Sequence, residues 1–523
     1  MGRSEASDIL NMKKRRKNFL VPLVLLICLL GLLRSEAQLS QTQRRGFPKY
    51  ETDSRLVSSR GTVDGMGDEH RNALHDSRSK TGHLLVFLPA HTCSWAAYDS
   101  IVKHDSTNVF AIIYENENES DARMQCSREN ISVDYLLQND LEHGTIPGYY
   151  LGSVGSYTFS RHEQTCRRAI CISCSAQAVK RLELYCSSSL SMSINDFKHF
   201  TWSESLNTWE FLNWDYVRFV VTVVTNCRLK TLENLLESLK AAHYFGDTVN
   251  LKIAIEAGAT LTCTKYIAEF AWPHGEKVIH RRLRPSGGPQ VAVPEALDTQ
   301  NDLHEMQILL EDDIDVSKQF YAWLKFVALQ LTYHKSYRDA ERIFSISLYT
   351  PRVLETGRDA RVKIAWGDVG LRSGDLFLYE VPCSWGAAFF MKPWYNAMQY
   401  FSLRLQHKKT FAAIPDSRVN GWSGSWKRWL LELGFFENWC TIYPYFTNET
   451  SFSTNLLGKG AHIASVSAQT VRNYTVPLFQ NASWYTSLRH KRVFDSELDR
   501  FNLRFERTRI SPPVTDRATL FWS

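Results

Sequence analysis

From residue 84 onward the apolar positions fall into two rhythms. Strand-like apolar-rich runs recur at 84–88 (LLVFL), 109–114 (VFAIIY), 219–224 (FVVTVV), 251–255 (LKIAI), 277–280 (KVIH), 306–310 (MQILL) and 344–349 (FSISLY). A run rich in β-branched residues and free of polar alternation, FVVTVV above all, is what a strand buried on both faces requires. Between the runs the spacing changes. Leu232, Leu235, Leu236 and Leu239 stand at i, i+3, i+4 and i+7, one face of an amphipathic helix. Phe320, Leu324, Val327 and Leu331 form a second such face, with Ser317 as its expected N-cap. Strands alternating with helices predict an α/β fold built on a mainly parallel sheet, with ligands at the carboxyl ends of its strands. The pattern divides the folded part into a small mixed α/β module over 81–210, a larger domain over 215–480 and a C-terminal extension over 481–523.

The amino terminus reads differently. A basic block, KKRRK at 13–17, precedes an apolar run over 19–33. Such a block keeps its own side cytosolic. The expected order is a cytosolic tail over 1–17, a single signal anchor over 18–33 and a flexible polar stem over 34–80. Ser35-Glu36-Ala37 is the alternative, a cleavage site. Either arrangement sends the rest of the chain into the secretory pathway. Ten of the 11 cysteines follow the apolar run, an even number that suits disulfides. The cluster Cys166, Cys171, Cys174 and Cys186 lacks the repeated C-x-x-C of a zinc site, so disulfides are favoured over metal there. Sequons stand at Asn118, Asn130, Asn448, Asn473 and Asn481. The 523 residues are 44% hydrophobic, enough for a substantial core, and one long apolar run excludes a polytopic membrane protein. The net charge is +6, and the block at 13–17 contributes five of those positives. The remainder is near neutral, which argues against a nucleic-acid partner.

The chemistry concentrates at 311–315. Glu311-Asp312-Asp313-Ile314-Asp315 puts four acids in five residues directly after a buried strand. Carboxylates so close repel one another and call for a cation. Hard oxygen ligands at this density suit Mn²⁺ or Mg²⁺, ions that keep positions open for phosphate oxygens.

The segment from Arg218 to about His462, roughly half of the chain, resembles a GT-A-fold nucleotide-sugar glycosyltransferase, Rossmann-like and related to GT2-type enzymes. It is similar to the alpha-1,3-mannosyl-glycoprotein N-acetylglucosaminyltransferase type, whose Glu-Asp-Asp variant of the DxD motif resembles Glu311-Asp312-Asp313. Those proteins also carry a short cytosolic lead, an anchor and a stem. The resemblance implies Golgi or ER membrane residence, a UDP-linked donor, and a glycan, glycoprotein or glycolipid acceptor. It implies that Asp313 holds Mn²⁺ on the donor diphosphate, with Asp312, Asp315 and His462 as further candidates for the metal. Donor contacts are implied for Thr225, Asn226 and Arg228 after the first strand of the domain, for Glu256 after the second, and for Glu311 and Asp312. Arg284 is a candidate counter-charge for phosphate. Trp385-Gly386 resembles the small-residue and aromatic stretch beside the donor sugar, where an indole stacks on the ring.

The acceptor side is expected at Arg418, Asn420, Trp422 and Trp426, although Trp426, Trp429 and Leu430 read equally as the face of a core helix. Here the chain departs from the family. An inverting transferase needs a general base, and the family carries an aspartate pair between two tryptophans. This chain has Ser-Gly-Ser between Trp422 and Trp426. Asp416 is the nearest acid, with Glu432 and Asp375 as other candidates. Two rivals follow. One is a catalytically inactive GT-A-like glycan-binding or scaffold protein. The other, ranked last, is a metal-dependent phosphohydrolase, which needs further ligands at other strand ends.

Overall fold

In the computed structural model the chain divides into Met1–Ser79 and a compact unit, Lys80–Ser523. Most of residues 186–508 are described, with the main gaps at 298–304, 358–361, around 407–415 and around 457–473, and four strands are described before residue 173. The tail, anchor and stem expected over 1–80, the cleavage site at Ser35-Glu36-Ala37, the sequons at Asn118, Asn130 and Asn473, and His462 lie outside the described residues. Among the described residues no helix is long and apolar enough to cross a membrane.

The first sheet contains β1 (His83–Pro89), β2 (Val109–Glu115), β3 (Val133–Leu137), β4 (Cys166–Ile172) and β5 (Cys186–Met192), in the order β3-β2-β1-β4-β5. Every neighbouring pair is parallel. Each connection is a dozen residues or longer, the length a parallel crossover needs. Cys171 is disulfide-bonded, in keeping with the non-metal reading of the cysteine cluster.

The larger sheet begins with β6 (Arg218–Thr225), the FVVTVV run, in which Phe219, Val221 and Val223 are buried. Helix α1 (Leu229–Lys240) follows, and Leu232, Leu235, Leu236 and Leu239 all lose their solvent exposure. Next come β7 (Asn250–Ile255), α2 (Leu261–Glu269), β8 (Lys277–Arg281), α3 (Pro289–Ala296) and β9 (Glu305–Glu311). Strands β9, β6, β7 and β8 form a parallel wing with β6 inside it. A short strand, β10 (Ile314–Val316), leads to α4 (Phe320–Tyr333).

Beyond α4 the sheet grows by β11 (Ile343–Ser347), β12 (Asp375–Tyr379) and β13 (Ala387–Phe389). Helices α5 (Met391–Gln406) and α6 (Trp426–Glu437) follow, then β14 (Cys440–Tyr445), β15 (Ser453–Asn455), β16 (Asp499–Phe501) and β17 (Arg507–Thr508). The full order is β17-β16-β12-β14-β11-β13-β9-β6-β7-β8, and β10 pairs separately with β15. Five of its nine neighbouring pairs are parallel. The fold is mixed α/β with a large, mainly parallel sheet.

Four expectations are corrected. Helix α4 is buried on every side instead of along one stripe, because it lies inside the molecule. Even Lys325 is 1% exposed, its ammonium bonded to Asp247 at 2.7 Å and to two carbonyls. The helix starts at Phe320 with Gln319 as N-cap; Ser317 sits further out and accepts the Gln319 N–H. The boundary at 480 falls too early, since β16 pairs with β12 and Trp484 is fully buried. Cysteine pairing is also incomplete: Cys227 bonds Cys263, while Cys383 and Cys440 are buried thiols.

Candidate active site

A cleft of about 550 Å³ opens at the carboxyl ends of β6, β7 and β9, a size typical of small-molecule sites. Its most polar corner is the turn between β9 and β10. There Asp312 is 1% exposed, yet its carboxylate is surrounded by donors. It accepts from the Thr225 hydroxyl at 2.5 Å, the Asn226 N–H at 3.0 Å, and Arg228 Nε at 2.7 Å, with Arg228 Nη2 bonded as well. Arg228 Nη1 reaches Asp313 at 3.0 Å. Burial works against the Arg228 charge, but Asp312 and Asp313 outweigh it and raise the guanidinium pKa. Leu456 N–H donates to the Asp313 carbonyl at 2.8 Å, so the strand after the acidic turn is pinned by the β15 segment.

Glu311 lines the cleft beside this corner and accepts from Trp426 Nε1 at 3.2 Å. Burial, reinforced by Asp313, pushes its pKa up to about 7. On the other flank, Glu256 accepts from Ser286 N–H at 3.0 Å, from the Ser286 hydroxyl and from Ala257 N–H at 2.9 Å. Burial opposes its charge, but these hydrogen bonds prevail and lower its pKa. Ser286 belongs to the turn Pro285-Ser286-Gly287-Gly288, which lines the cleft, and Gly287 and Gly288 take φ of 85° and 121°, conformations that suit glycine.

Thr225, Asn226, Arg228, Glu256, Glu311, Asp312, Asp313, Trp385, Arg418, Trp422 and Trp426 all line this one cleft, as the sequence reading proposed. Gly386 adjoins it: a Cβ there would meet Leu310, Leu348 and Ser453 at 3.2 Å. Trp426 is both wall and core, 2% exposed, with Trp429 and Leu430 buried behind it on α6.

Other candidates are not brought in. Asp315 does not line the cleft; it accepts its neighbour Val316 N–H at 2.8 Å on β10. Arg284 is exposed outside the lining. The Asn420 amide donates to the Ile414 carbonyl at 2.7 Å and serves the turn rather than the cleft. All three proposed bases are displaced. Asp375 sits at the far end of β12 from Tyr379, bonded to Arg489 at 3.1 Å. Glu432 is buried between helices with Arg404 at 2.9 Å. Asp416 is exposed and does not line the cleft. Asn448 and Asn481 are exposed in turns. The cleft also holds Glu355, Tyr379, Tyr349 and Tyr474, which sequence reasoning missed. Glu355 and Tyr349 follow the legible strand β11, and their position past a strand end was the available signal.

The acidic corner admits a divalent ion in one mode. Asp312 is occupied as an acceptor by Thr225, Asn226 and Arg228, which leaves Asp313 as the acid more open to the cleft. Among the described residues no three His, Cys, Asp or Glu converge as a protein metal cage. Ions such as Mg²⁺ are commonly held by one or two carboxylates and completed by substrate phosphates and water. Asp313, facing the cleft beside Glu311, fits that mode.

A family model described as the SPBC1E8.03c C-terminal domain matches residues 230–410, under half of the chain. No curated protein matches. Among solved structures, the chain is similar to S. aureus TarS at 13% identity, covering 34% of this chain and 29% of that one, with a TM-score of 0.24. The structure of S. aureus TarS 1-349 in complex with UDP-GlcNAc matches at 12% identity over 48% of this chain and 62% of that one, with a TM-score of 0.26. The chain therefore spans less than two thirds of either structure. Likeness this slight carries no argument, and the functional reading rests on the site's own geometry.

Proposed function

We propose that this protein is a nucleotide-sugar-dependent glycosyltransferase of the secretory pathway, anchored by residues 18–33. The observation that carries this reading is the pair Asp312–Asp313 at the head of the cleft. Arg228 and Thr225 immobilise Asp312, and this holds Asp313 towards the cleft on a turn braced by β15. That is a preorganised seat for the cation of a diphosphate, set where strand ends converge.

In this reading the donor is UDP-linked and lies along the wall from Glu256 to Glu311. Glu256, ionised and held by Ser286, is placed to accept hydrogen bonds from the nucleoside. Asp313 holds Mn²⁺ or Mg²⁺ together with the donor's phosphates. When bound, the ion stabilises negative charge on the leaving diphosphate as a Lewis acid. Trp385 and Trp422 present aromatic faces to the sugars, and the acceptor is a glycan, glycoprotein or glycolipid.

The test is a panel of nucleotide-sugars on the purified full chain, with and without Mn²⁺, read by thermal shift and by release of free nucleotide. Stabilisation by one donor that depends on Mn²⁺ is expected. Asp313→Ala is expected to lose at least tenfold in donor affinity by calorimetry with its melting transition retained, while unchanged affinity in that variant sinks the site assignment. Folded wild-type protein that responds to no donor favours the inactive, glycan-binding rival, which the displacement of Asp416, Glu432 and Asp375 also favours.

A further inference from the structure

We infer that the part of the cleft lined by Glu355, Tyr379 and a row of aromatic rings is a subsite for an acceptor saccharide, in which Glu355 takes the proton of the attacking hydroxyl. The inference rests on the transferase reading.

Five acids among the described residues line the cleft, and four of them belong to its donor end. Glu256 is bound by Ser286, Asp312 by Arg228 and Thr225, and Glu311 and Asp313 form the acidic corner. Glu355 enters from a different limb of the fold, the loop after β11. It is 1% exposed. Its Oε1 accepts from the Ser417 hydroxyl at 2.9 Å, and its Oε2 from Lys427 Nζ at 3.0 Å and Arg418 Nη2 at 3.4 Å. Burying a carboxylate without such partners is costly.

A second observation points to a ligand at the same place. Tyr379 ends β12, is 1% exposed and lines the cleft, and its buried hydroxyl lies against the backbone of Glu355. Further along the lining, Tyr349 and Tyr474 each stand edge-to-face with Trp385, at 4.8 Å and 5.1 Å between centroids. Aromatic faces beside a few fixed polar groups match a sugar, which has an apolar C–H face and a hydroxylated edge.

The start of α6 couples the two ends of the cleft. Trp426 donates to Glu311 and the next residue, Lys427, to Glu355. The proton acceptor and the diphosphate seat thus flank one helix start. The step balances as a displacement. The acceptor O–H proton passes to the Glu355 carboxylate, and the oxygen's electron pair bonds to the anomeric carbon. The bond from that carbon to the diphosphate oxygen breaks, and its pair leaves with the nucleotide. Attack opposite the leaving group inverts the anomeric configuration.

The experiment uses the full chain, a panel of UDP-sugars and simple methyl glycosides, with UDP release as the readout. Glu355→Gln and Glu355→Ala are each expected to bind the donor within twofold of wild type by calorimetry and to lose at least 100-fold in turnover. Formate is expected to restore Glu355→Ala at least tenfold and to leave Glu355→Gln unchanged. A carboxylate that only braced the 417–427 wall would leave Glu355→Gln more than a tenth of wild-type turnover, and that result overturns the assignment, as does failure of formate to rescue. Tyr379→Phe is expected to raise the KM for the glycoside at least threefold with kcat little changed; an unchanged KM overturns the subsite. If wild-type protein binds no UDP-sugar, the transferase reading itself fails. If it binds a donor yet turns none over, the transferase seat stands and Glu355 loses its role.

Discussion

Asp312 and Asp313 are chemically identical neighbours with opposite uses, and only their surroundings separate them. Asp312 is closed off by the Thr225 hydroxyl, the Asn226 amide and the Arg228 guanidinium, while Asp313 shares one guanidinium nitrogen and lines the cleft. Glu311 is the third case: burial and the nearby Asp313 raise its pKa to about 7, against the pull of Trp426 and Arg228. The raised value has a defined sign for stability. Below about pH 4.5 the group is protonated folded and unfolded alike. Between about 4.5 and 7 only the folded state holds the proton, so the associated stability is lost as pH rises through that window and is absent above it. In chelator, Glu311→Gln is therefore expected to gain stability relative to wild type on going from pH 5 to pH 8, by up to ~3 kcal/mol. Urea unfolding at the two pH values checks this; an equal difference at both means that Glu311 is not perturbed.

At the scale of elements, the turn after β6 carries the whole acidic corner, and a covalent link holds it. Cys227 takes φ of 62°, bonds Cys263 in the first turn of α2, and directly precedes Arg228. A loop closed by cysteines 36 apart restrains the unfolded chain by about 4 kcal/mol in the chain-entropy picture. The double variant Cys227→Ser, Cys263→Ser is expected to lose about 2–4 kcal/mol in urea unfolding and also to weaken nucleotide-sugar binding, because Arg228 is positioned by the same turn. Lost stability with unchanged donor affinity would show that the disulfide braces the fold alone. This corner was legible because each of its residues directly follows a readable apolar run: Thr225 and Arg228 after β6, Glu256 after β7, Glu311 to Asp313 at the end of β9. Proximity in sequence to a tryptophan motif was a poorer guide. It selected Asp416, Glu432 and Asp375, but which end of β12 faces the cleft, and that Arg404 of α5 reaches Glu432, depend on packing between distant elements. Glu355 belongs to no periodic pattern, and its burial arises from Ser417, Arg418 and Lys427, more than 60 residues away.

At the scale of the molecule, the segment expected as a C-terminal extension closes the structure. Trp484 is fully buried against Trp323, Phe326 and Phe452, which joins it to helix α4 and to the segment leading into β15. Arg492 meets the wholly buried Glu210 through two nitrogens at 2.6 and 2.9 Å, and Lys491 meets Glu204 at 2.7 Å. The residues before β6 are thus tied to the end of the chain. Arg500, 4% exposed, meets Glu380 at 3.1 Å, and β16 extends the sheet beside β12, whose end carries Tyr379. The sequence pattern shows none of this, since β16 and β17 are too short to show periodicity and β16 pairs with a strand more than 100 residues earlier. A chain ended at 480 removes the guanidinium groups from two buried carboxylates, at about 3–5 kcal/mol each, and uncovers the aromatic cluster as well. That sum rivals the whole stability of a typical domain, about 5–15 kcal/mol. A chain ending at 508 is expected to keep one cooperative melting transition, and a chain ending at 480 to show none by calorimetry. A cooperative transition in the shorter chain would mean that the sheet is complete at β14 and that β16 and β17 are an addition to it.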